Sequence, residues 1–429
     1  MYHFIGIKGS GMSALAIIMK QLGFNVQGSD INKHYFTETN LIKNNIKIFE
    51  FNEQNIKENM IIIKGNTFTN ENIEVKKAQE LNLKIYTYQE MVDKITRNFN
   101  LITVSGCHGK TTTSSMLSHI LESNYIIGDG SGGVGKNNYF VLEACEYKRH
   151  FLSYNPNYAI ITNIDLDHID YYKNIKDIIK AYKQFIKKAN IVLICGDDKY
   201  SKKLKHRNIY KYGTKNKNYF QAKQIKYSNK GIEFDLYVKK EYKYNFKLPF
   251  YGRHMLENTL AVIAICYLEK IQLKEIENKL KTFKGAKRRF KETKINDNIV
   301  IDDYAHHPNE IKAVIQATKQ KYKNKKIITV FEPHTFTRTK KFHKKIAQEL
   351  NKSDYTYIMN IYPSRENKEK YKNITSNLII KKIKKGEKLE KTEYKKLLKH
   401  KNSVILFMSP NDLTELEQKY MNEYRKLTK

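Results

Sequence analysis

The segment that most restricts this chain is Leu101-Ile-Thr-Val-Ser105, followed by Gly106-Cys-His-Gly-Lys-Thr-Thr-Thr113 and a helical pattern through Leu121. A strand that breaks at glycine and re-enters as a helix is the setting of a phosphate-binding loop. Glycines let backbone N–H groups crowd around phosphate oxygens, and the helix N-terminus adds partial positive charge. Lys110 can reach the β- and γ-phosphates, and the Thr111 hydroxyl can bind Mg²⁺. Gly106, Cys107, His108, Gly109 and Thr112 complete the loop. The longer form of this motif wants glycine at position 104, where Val104 stands, so the loop is the shorter G-x-x-G-K-T.

Apolar runs of strand length alternate with helical stretches almost throughout, the pattern of stacked βαβ units around parallel sheets. Residues 2–7, 24–29, 59–64 and 84–88 read as strands, with a helix at 10–22. Strands at 139–145, 158–162 and 190–195 continue the unit that opens at 101. Residues 206–250 alternate roughly, as in Ile232-Glu-Phe-Asp-Leu-Tyr-Val238, and read as antiparallel strands appended to that sheet. Helices follow at 254–269 and 273–282. A third unit opens with the strand 298–302. It continues through helices at 308–322 and 338–350, strands at 326–331, 354–359 and 403–408, and a last helix at 410–424. The Lys-rich stretch 365–401 is the least patterned and reads as surface. The expected class is α/β, with new units beginning near 97 and 286.

At 429 residues the chain has room for several cores. No apolar run approaches the ~20 residues of a membrane helix. The strand pattern begins at residue 2 with no basic-then-apolar leader. These features point to the cytoplasm and away from a membrane. The net charge is +34, from 78 Lys and Arg against 44 Asp and Glu. A nucleic-acid partner calls for a clustered basic stripe with interleaved aromatics. Here the lysines are scattered, as compositional drift and solvated lysine faces scatter them, and no nucleic-acid partner is expected. Cys107, Cys145, Cys195 and Cys266 lie far apart without C-x-x-C spacing, so neither a disulfide nor a zinc site is expected. All but Cys107 fall in patterns that bury them.

Gly6-Ile-Lys-Gly-Ser-Gly-Met12 also joins a strand to a helix, but its spacing is G-x-x-G-x-G rather than G-x-G-x-x-G. Asp30 ends the next strand, where a carboxylate can accept from a ribose hydroxyl. A nucleoside diphosphate fits against Gly9, Ser10, Gly11, Met12 and Asp30, and the motif alone leaves NAD open. Glu143-Ala-Cys-Glu146 and Asn163-Ile-Asp-Leu-Asp-His-Ile-Asp170 follow two further strands, where the ends of an open α/β sheet form a crevice. Glu143 and His168 there can hold Mg²⁺ beside a triphosphate and an acyl phosphate. Surface aspartates and a helix cap are the plain alternative. Later clusters are His254-Met-Leu-Glu-Asn258, Lys287-Arg-Arg-Phe290, Asp302-Asp-Tyr-Ala-His-His-Pro308 and Phe331-Glu-Pro-His-Thr-Phe-Thr-Arg-Thr339.

Taken in this order the motifs resemble those of the Mur ligases. The stretches 143–151 and 302–308 are the most specific, and the match runs from Gly6 to Arg338. Within that family they resemble the branch that joins L-alanine to UDP-N-acetylmuramic acid. The resemblance implies three domains. Residues 1–96 would be Rossmann-like and hold the UDP-sugar. Residues 97–286 would be a P-loop ATP-binding domain with a mostly parallel sheet plus antiparallel strands. Residues 287–429 would be Rossmann-like, bind the amino acid and close the cleft. It also implies a mechanism: ATP converts the lactyl carboxylate to an acyl phosphate, the alanine amine attacks, and phosphate leaves. By position, Lys110 and Thr111 would serve phosphate and Mg²⁺, with Glu143 and His168 at the metal. Asn258 would contact adenine, Arg289 the γ-phosphate and Asp303 the ATP ribose, while His306 and Arg338 face the substrates.

Three positions depart from the family pattern. Cys107 replaces a threonine, Met255 replaces an asparagine, and Met408-Ser-Pro-Asn-Asp412 replaces Gly-Ala-Gly-Asp, which threatens a close backbone contact. A sister ligase that attaches a recycled tripeptide is the nearest rival. It usually carries an acidic run where this chain has Lys148-Arg-His150. Folylpolyglutamate synthase shares the ATPase core but lacks the first domain.

Overall fold

The computed structural model describes residues 1–169, 171–364 and 366–427; Asp170, the last residue of the Asn163 motif, lies outside them. The chain divides into two compact units. One comprises 1–221, 237–241 and 258–283; the other comprises 222–236, 242–257 and 284 onward.

The first unit carries two sheets. The N-terminal sheet has five parallel strands in the spatial order Lys47–Phe49, Val26–Ser29, Tyr2–Ile5, Ile61–Lys64 and Lys84–Thr87. The second runs Ile209–Gly213, Ile191–Cys195, Tyr158–Ile161, Asn100–Ser105, Asn137–Glu143, Ser123–Ile126 and Gly132–Gly133, and only the last pair is antiparallel. The strand 209–213, expected to be antiparallel, pairs parallel with 191–195. The two sheets share one core, in which Ala14, Ile18 and Met19 of helix Ser10–Gln21 meet Ile126, Phe140 and Leu142. Gly132 makes that approach possible, since a Cβ there would stand 2.5 Å from the Ala14 carbonyl oxygen. The helix Ile175–Ile186, which the sequence pattern leaves unmarked, buries Ile178, Ala181, Tyr182 and Phe185 at helical spacing.

The second unit carries most of Phe220–Ser228, Gly231–Val238 and Glu241–Leu248. The links between these strands are two residues long, which makes the neighbours antiparallel. Lys239 and Lys240 both take positive φ, 52° and 71°, as a type I′ turn demands. Its six-stranded sheet runs Lys291–Ile295, Asn298–Asp303, Ser403–Met408, Lys326–Phe331, Tyr355–Ile358 and Gly386–Lys388, parallel after the first pair. Inserting 403–408 between 298–303 and 326–331 reverses the winding, so a crevice opens at the carboxyl ends of those strands. The stretch 365–401 is not all surface: Ile379, Leu389 and Leu397 are fully buried. Among the described residues no helix is long and apolar enough to cross a membrane.

Candidate active site

The strand Asn100–Ser105 ends at Gly106 and the helix Lys110–Leu121 begins four residues later. Between them, two glycines occupy backbone that other residues avoid. Gly106 has φ 135°, and a Cβ would stand 2.1 Å from Thr162 Oγ1; Gly109 has φ 84°, and a Cβ would stand 2.4 Å from Asn258 Oδ1. Asn258, buried on helix Arg253–Leu268, therefore lies directly on the loop. The loop is cradled by the segment after strand Tyr158–Ile161. Thr162 Oγ1 and Asn163 Nδ2 donate to the His108 carbonyl at 2.7 and 2.9 Å, and His108 N donates to Asn163 Oδ1 at 3.0 Å. Cys107 fills the role of a hydroxyl: its Sγ donates to the Asp165 carbonyl at 3.0 Å and receives the Asp165 N–H at 3.1 Å. The cysteine pattern differs from expectation, since Cys107 is buried and Cys145 is exposed.

Lys110 Nζ donates to the Gly106 carbonyl at 2.5 Å and pairs with Glu146 Oε2 at 3.2 Å. Burial alone would depress this ammonium. Glu146, with Cys145 and Glu143 beyond it, outweighs burial and holds it well above the usual lysine range. Thr111 and Thr112 are buried in the first turn behind it. Glu146 was quoted in the sequence motif without a role, yet it is the hub. Its other oxygen lies 3.7 Å from His168 Nε2, and Cys145, Glu146 and His168 bring one ligand atom each within 4.8 Å of one another. Glu143 takes the Gly128 N–H at 2.8 Å. His168 sits in left-handed backbone, φ 48°, which a non-glycine residue holds only when its surroundings insist. Here Asp167 accepts the His168 N–H at 2.8 Å, and Tyr171 and Tyr172 N–H groups both donate to its carbonyl at 2.9 Å.

In the N-terminal sheet, the turn Gly6–Gly9 leads into helix Ser10–Gln21, whose N-cap Gly9 offers no side-chain acceptor. The orphan N–H groups of Ser10, Gly11 and Met12 are those an anion would meet. Asp30 takes the Lys8 N–H at 2.8 Å and the Ile31 N–H at 2.8 Å, so it braces the turn. A carboxylate has lone pairs left for a ribose hydroxyl.

The second unit gathers the four C-terminal residues singled out by sequence. Asp303 Oδ2 takes the Phe290 N–H and Oδ1 the Ala305 N–H, each at 2.8 Å, so it fixes the backbone beside Arg289 and beside His306. Burial raises the Asp303 carboxyl to about 6 against the pull of Arg289. The Arg289 guanidinium lies 4.9 Å from the Tyr304 ring centroid. His306 Nδ1 stands 2.9 Å from the Tyr304 carbonyl, and its ring meets that of His334 at 5.0 Å. Arg338 Nη1 donates to His334 Nδ1 at 2.8 Å, and His334 stacks on Tyr362. Tyr304 and His334 lie in quoted motifs without a role, because nothing in those motifs shows that they meet Arg289, His306 and Arg338. Burial and the Arg289 charge depress His254 to about 4. In the altered C-terminal loop, Ser409 is fully buried and donates through its hydroxyl to Glu332 at 2.6 Å, a bond glycine lacks.

Three family models match the chain in order. The one described as Mur ligase family, catalytic domain covers residues 1–100, Mur ligase middle domain covers 130–266, and Mur ligase, glutamate ligase domain covers 288–411. Among solved structures, the UDP-N-acetylmuramate-alanine ligase of Thermotoga maritima is similar at 26% identity over 99% of both chains, with a TM-score of 0.84. A murein peptide ligase from Psychrobacter arcticus shares the fold at 21% identity, over 99% of this chain and 98% of its own, with a TM-score of 0.71. The Thermotoga maritima MurF ligase, solved with ADP, shares it at 16% identity, over 94% and 96%, with a TM-score of 0.64. With its three sheets, its short phosphate loop and these matches along its length, the chain belongs to the Mur ligase family.

Proposed function

We propose that this member of the family joins L-alanine to UDP-N-acetylmuramic acid at the expense of ATP, giving UDP-N-acetylmuramoyl-L-alanine, ADP and phosphate for peptidoglycan synthesis. The observation that carries the reading is the likeness to the alanine-adding Thermotoga maritima enzyme over nearly the whole of both chains. A cytoplasmic location and the domain limits 1–96, 97–286 and 287–429 go with it.

In this reading the sugar nucleotide lies against Gly9, Ser10, Gly11, Met12 and Asp30. ATP runs over Gly106–Thr112, with Asn258 at adenine, Asp303 at the ribose and Arg289 at the γ-phosphate. An oxygen of the lactyl carboxylate attacks the γ-phosphorus and ADP leaves. Both reactants are anionic, so the Lys110 ammonium, kept charged by Glu146, lowers the cost of bringing them together. Thr111, Glu143 and His168 would hold Mg²⁺, with the Glu146 carboxylate within 4.8 Å of a His168 ring nitrogen as a further hard oxygen, and when bound it would offset further negative charge.

The amine of alanine then attacks the acyl carbon and phosphate leaves. His306 stands with Nδ1 2.9 Å from the Tyr304 carbonyl, and in this reading its imidazole takes the amine proton. Arg338, whose Nη1 donates to His334, would meet the alanine carboxylate. The test is phosphate release by the full-length protein with UDP-N-acetylmuramic acid and, separately, L-alanine, glycine, L-serine and the tripeptide L-alanyl-γ-D-glutamyl-meso-diaminopimelate. L-Alanine should give the highest kcat/KM; a higher value for the tripeptide overturns the assignment.

A further inference from the structure

Tyr88 belongs to no motif, yet it stands between two that matter. It opens helix Tyr88–Thr96 at the carboxyl end of the edge strand Lys84–Thr87. A reciprocal cap sets its place: Thr87 N donates to Glu90 Oε2 at 2.7 Å, and Glu90 N donates to Thr87 Oγ1 at 3.3 Å. The ring lies across the first turn of helix Ser10–Gln21. A Cβ on Gly11 would stand 3.0 Å from Tyr88 Cζ and 3.2 Å from Oη, so the phenol packs directly against the Gly11 backbone and a side chain there would crowd it. On the side of the second sheet the phenol feels Glu143 and Cys145; burial first, and then these two groups, hold its pKa well above the ordinary tyrosine range. Tyr88 is half-buried, and its hydroxyl has no hydrogen-bond partner among the described residues.

We infer that Tyr88 is a positioning residue for the sugar nucleotide, its hydroxyl donating to the substrate between the glycine-rich turn and Glu143. The inference rests on the function proposed above and names a contact in that same site. A UDP-sugar seated at Ser10, Gly11 and Met12 must extend toward the carboxylates of the second sheet for its lactyl group to meet ATP. The phenol borders the turn and lies within the electrostatic reach of Glu143, all inside one compact unit. It stays protonated at neutral pH, so it meets an anionic substrate as a donor and adds no negative charge.

The experiment compares wild type, Tyr88→Phe and Tyr88→Ala by phosphate release, with UDP-N-acetylmuramic acid varied at saturating ATP and L-alanine. One neutral hydrogen bond removed should raise the sugar-nucleotide KM about five- to tenfold in Tyr88→Phe. The kcat should stay within about twofold, the ATP KM should be unchanged, and Tyr88→Ala should be worse. Equal KM values for wild type and Tyr88→Phe overturn the inference. So does a parallel rise in the ATP KM or a fall in Tm, either of which marks the ring as packing alone. A wild-type protein that turns over with none of the amino acids fails the functional reading itself; wild-type turnover with an indifferent Tyr88→Phe fails only this inference.

Discussion

The phosphate loop of the first unit and the histidine–arginine cluster of the second hold their chemistry in opposite ways. Around Gly106–Gly109 the working surface is backbone. Two glycines in positive φ leave no room for a Cβ, and Thr162 and Asn163 clamp the peptide units from behind. In the second unit the surface is side chain on side chain: Arg289 over Tyr304, His306 against His334, and Arg338 bonded to His334. A backbone site tolerates almost no change in residue type, so it shows as a motif. A side-chain site asks only that some donor reach some acceptor, so its members are spread over 289–362 without a fixed spacing.

The comparison breaks most easily at Lys110. Lys110→Ala should keep its circular dichroism and lose at least about a thousandfold in kcat, because the charge meeting the phosphates is gone. Turnover above a tenth of wild type would show that the loop is not where phosphate is bound. Glu146→Gln sharpens the same side. It leaves Lys110 buried without its anion, at a cost of about 3–5 kcal/mol of stability. The kcat should fall about a hundredfold, and the Mg²⁺ concentration for half-maximal rate should rise. An unchanged metal dependence removes Glu146 from the metal.

On the other side, Arg338→Lys should raise the L-alanine KM about tenfold and leave the UDP-N-acetylmuramic acid KM alone, since a point charge cannot serve His334 and a carboxylate together. Equal effects on both substrates would argue that Arg338 holds the fold rather than the amino acid. The smallest effect concerns Glu417, buried on helix Thr414–Leu427. Burial, then Asp302, raises its carboxyl to about 8 against the pull of Arg288. A folded-state pKa above the unfolded one means the folded state holds the extra proton. Stability should therefore fall as pH rises from about 4.5 toward 8. Glu417→Gln should flatten that part of the Tm–pH curve, and an unaltered slope would acquit the residue.

Much of this was legible in the chain itself. The alternation of strand and helix, the G-x-x-G-K-T loop and the order of the later clusters are local patterns, set by backbone sterics and by periods of two and 3.6 residues. They determined the α/β class and pointed to Lys110, Thr111, Glu143 and His168, while Arg289, Asp303, His306 and Arg338 took their roles from the resemblance to the Mur ligases. What they left open depends on pairing at long range. The strand 209–213 lies in a stretch that reads as antiparallel, and only its placement beside 191–195 and 220–221 makes it parallel to both. Glu143 and Glu146 stand three residues apart, and nothing in that spacing tells which one meets Lys110. The 3.2 Å approach of Glu146 follows from how the strand Asn137–Glu143 lies beside Asn100–Ser105. Cys145 and Cys107 exchanged their expected exposure for the same reason. Local sequence chooses an element and marks a loop that needs glycine. Which of two like side chains faces the chemistry is decided by the neighbour that packs against it, and that neighbour is often tens of residues away.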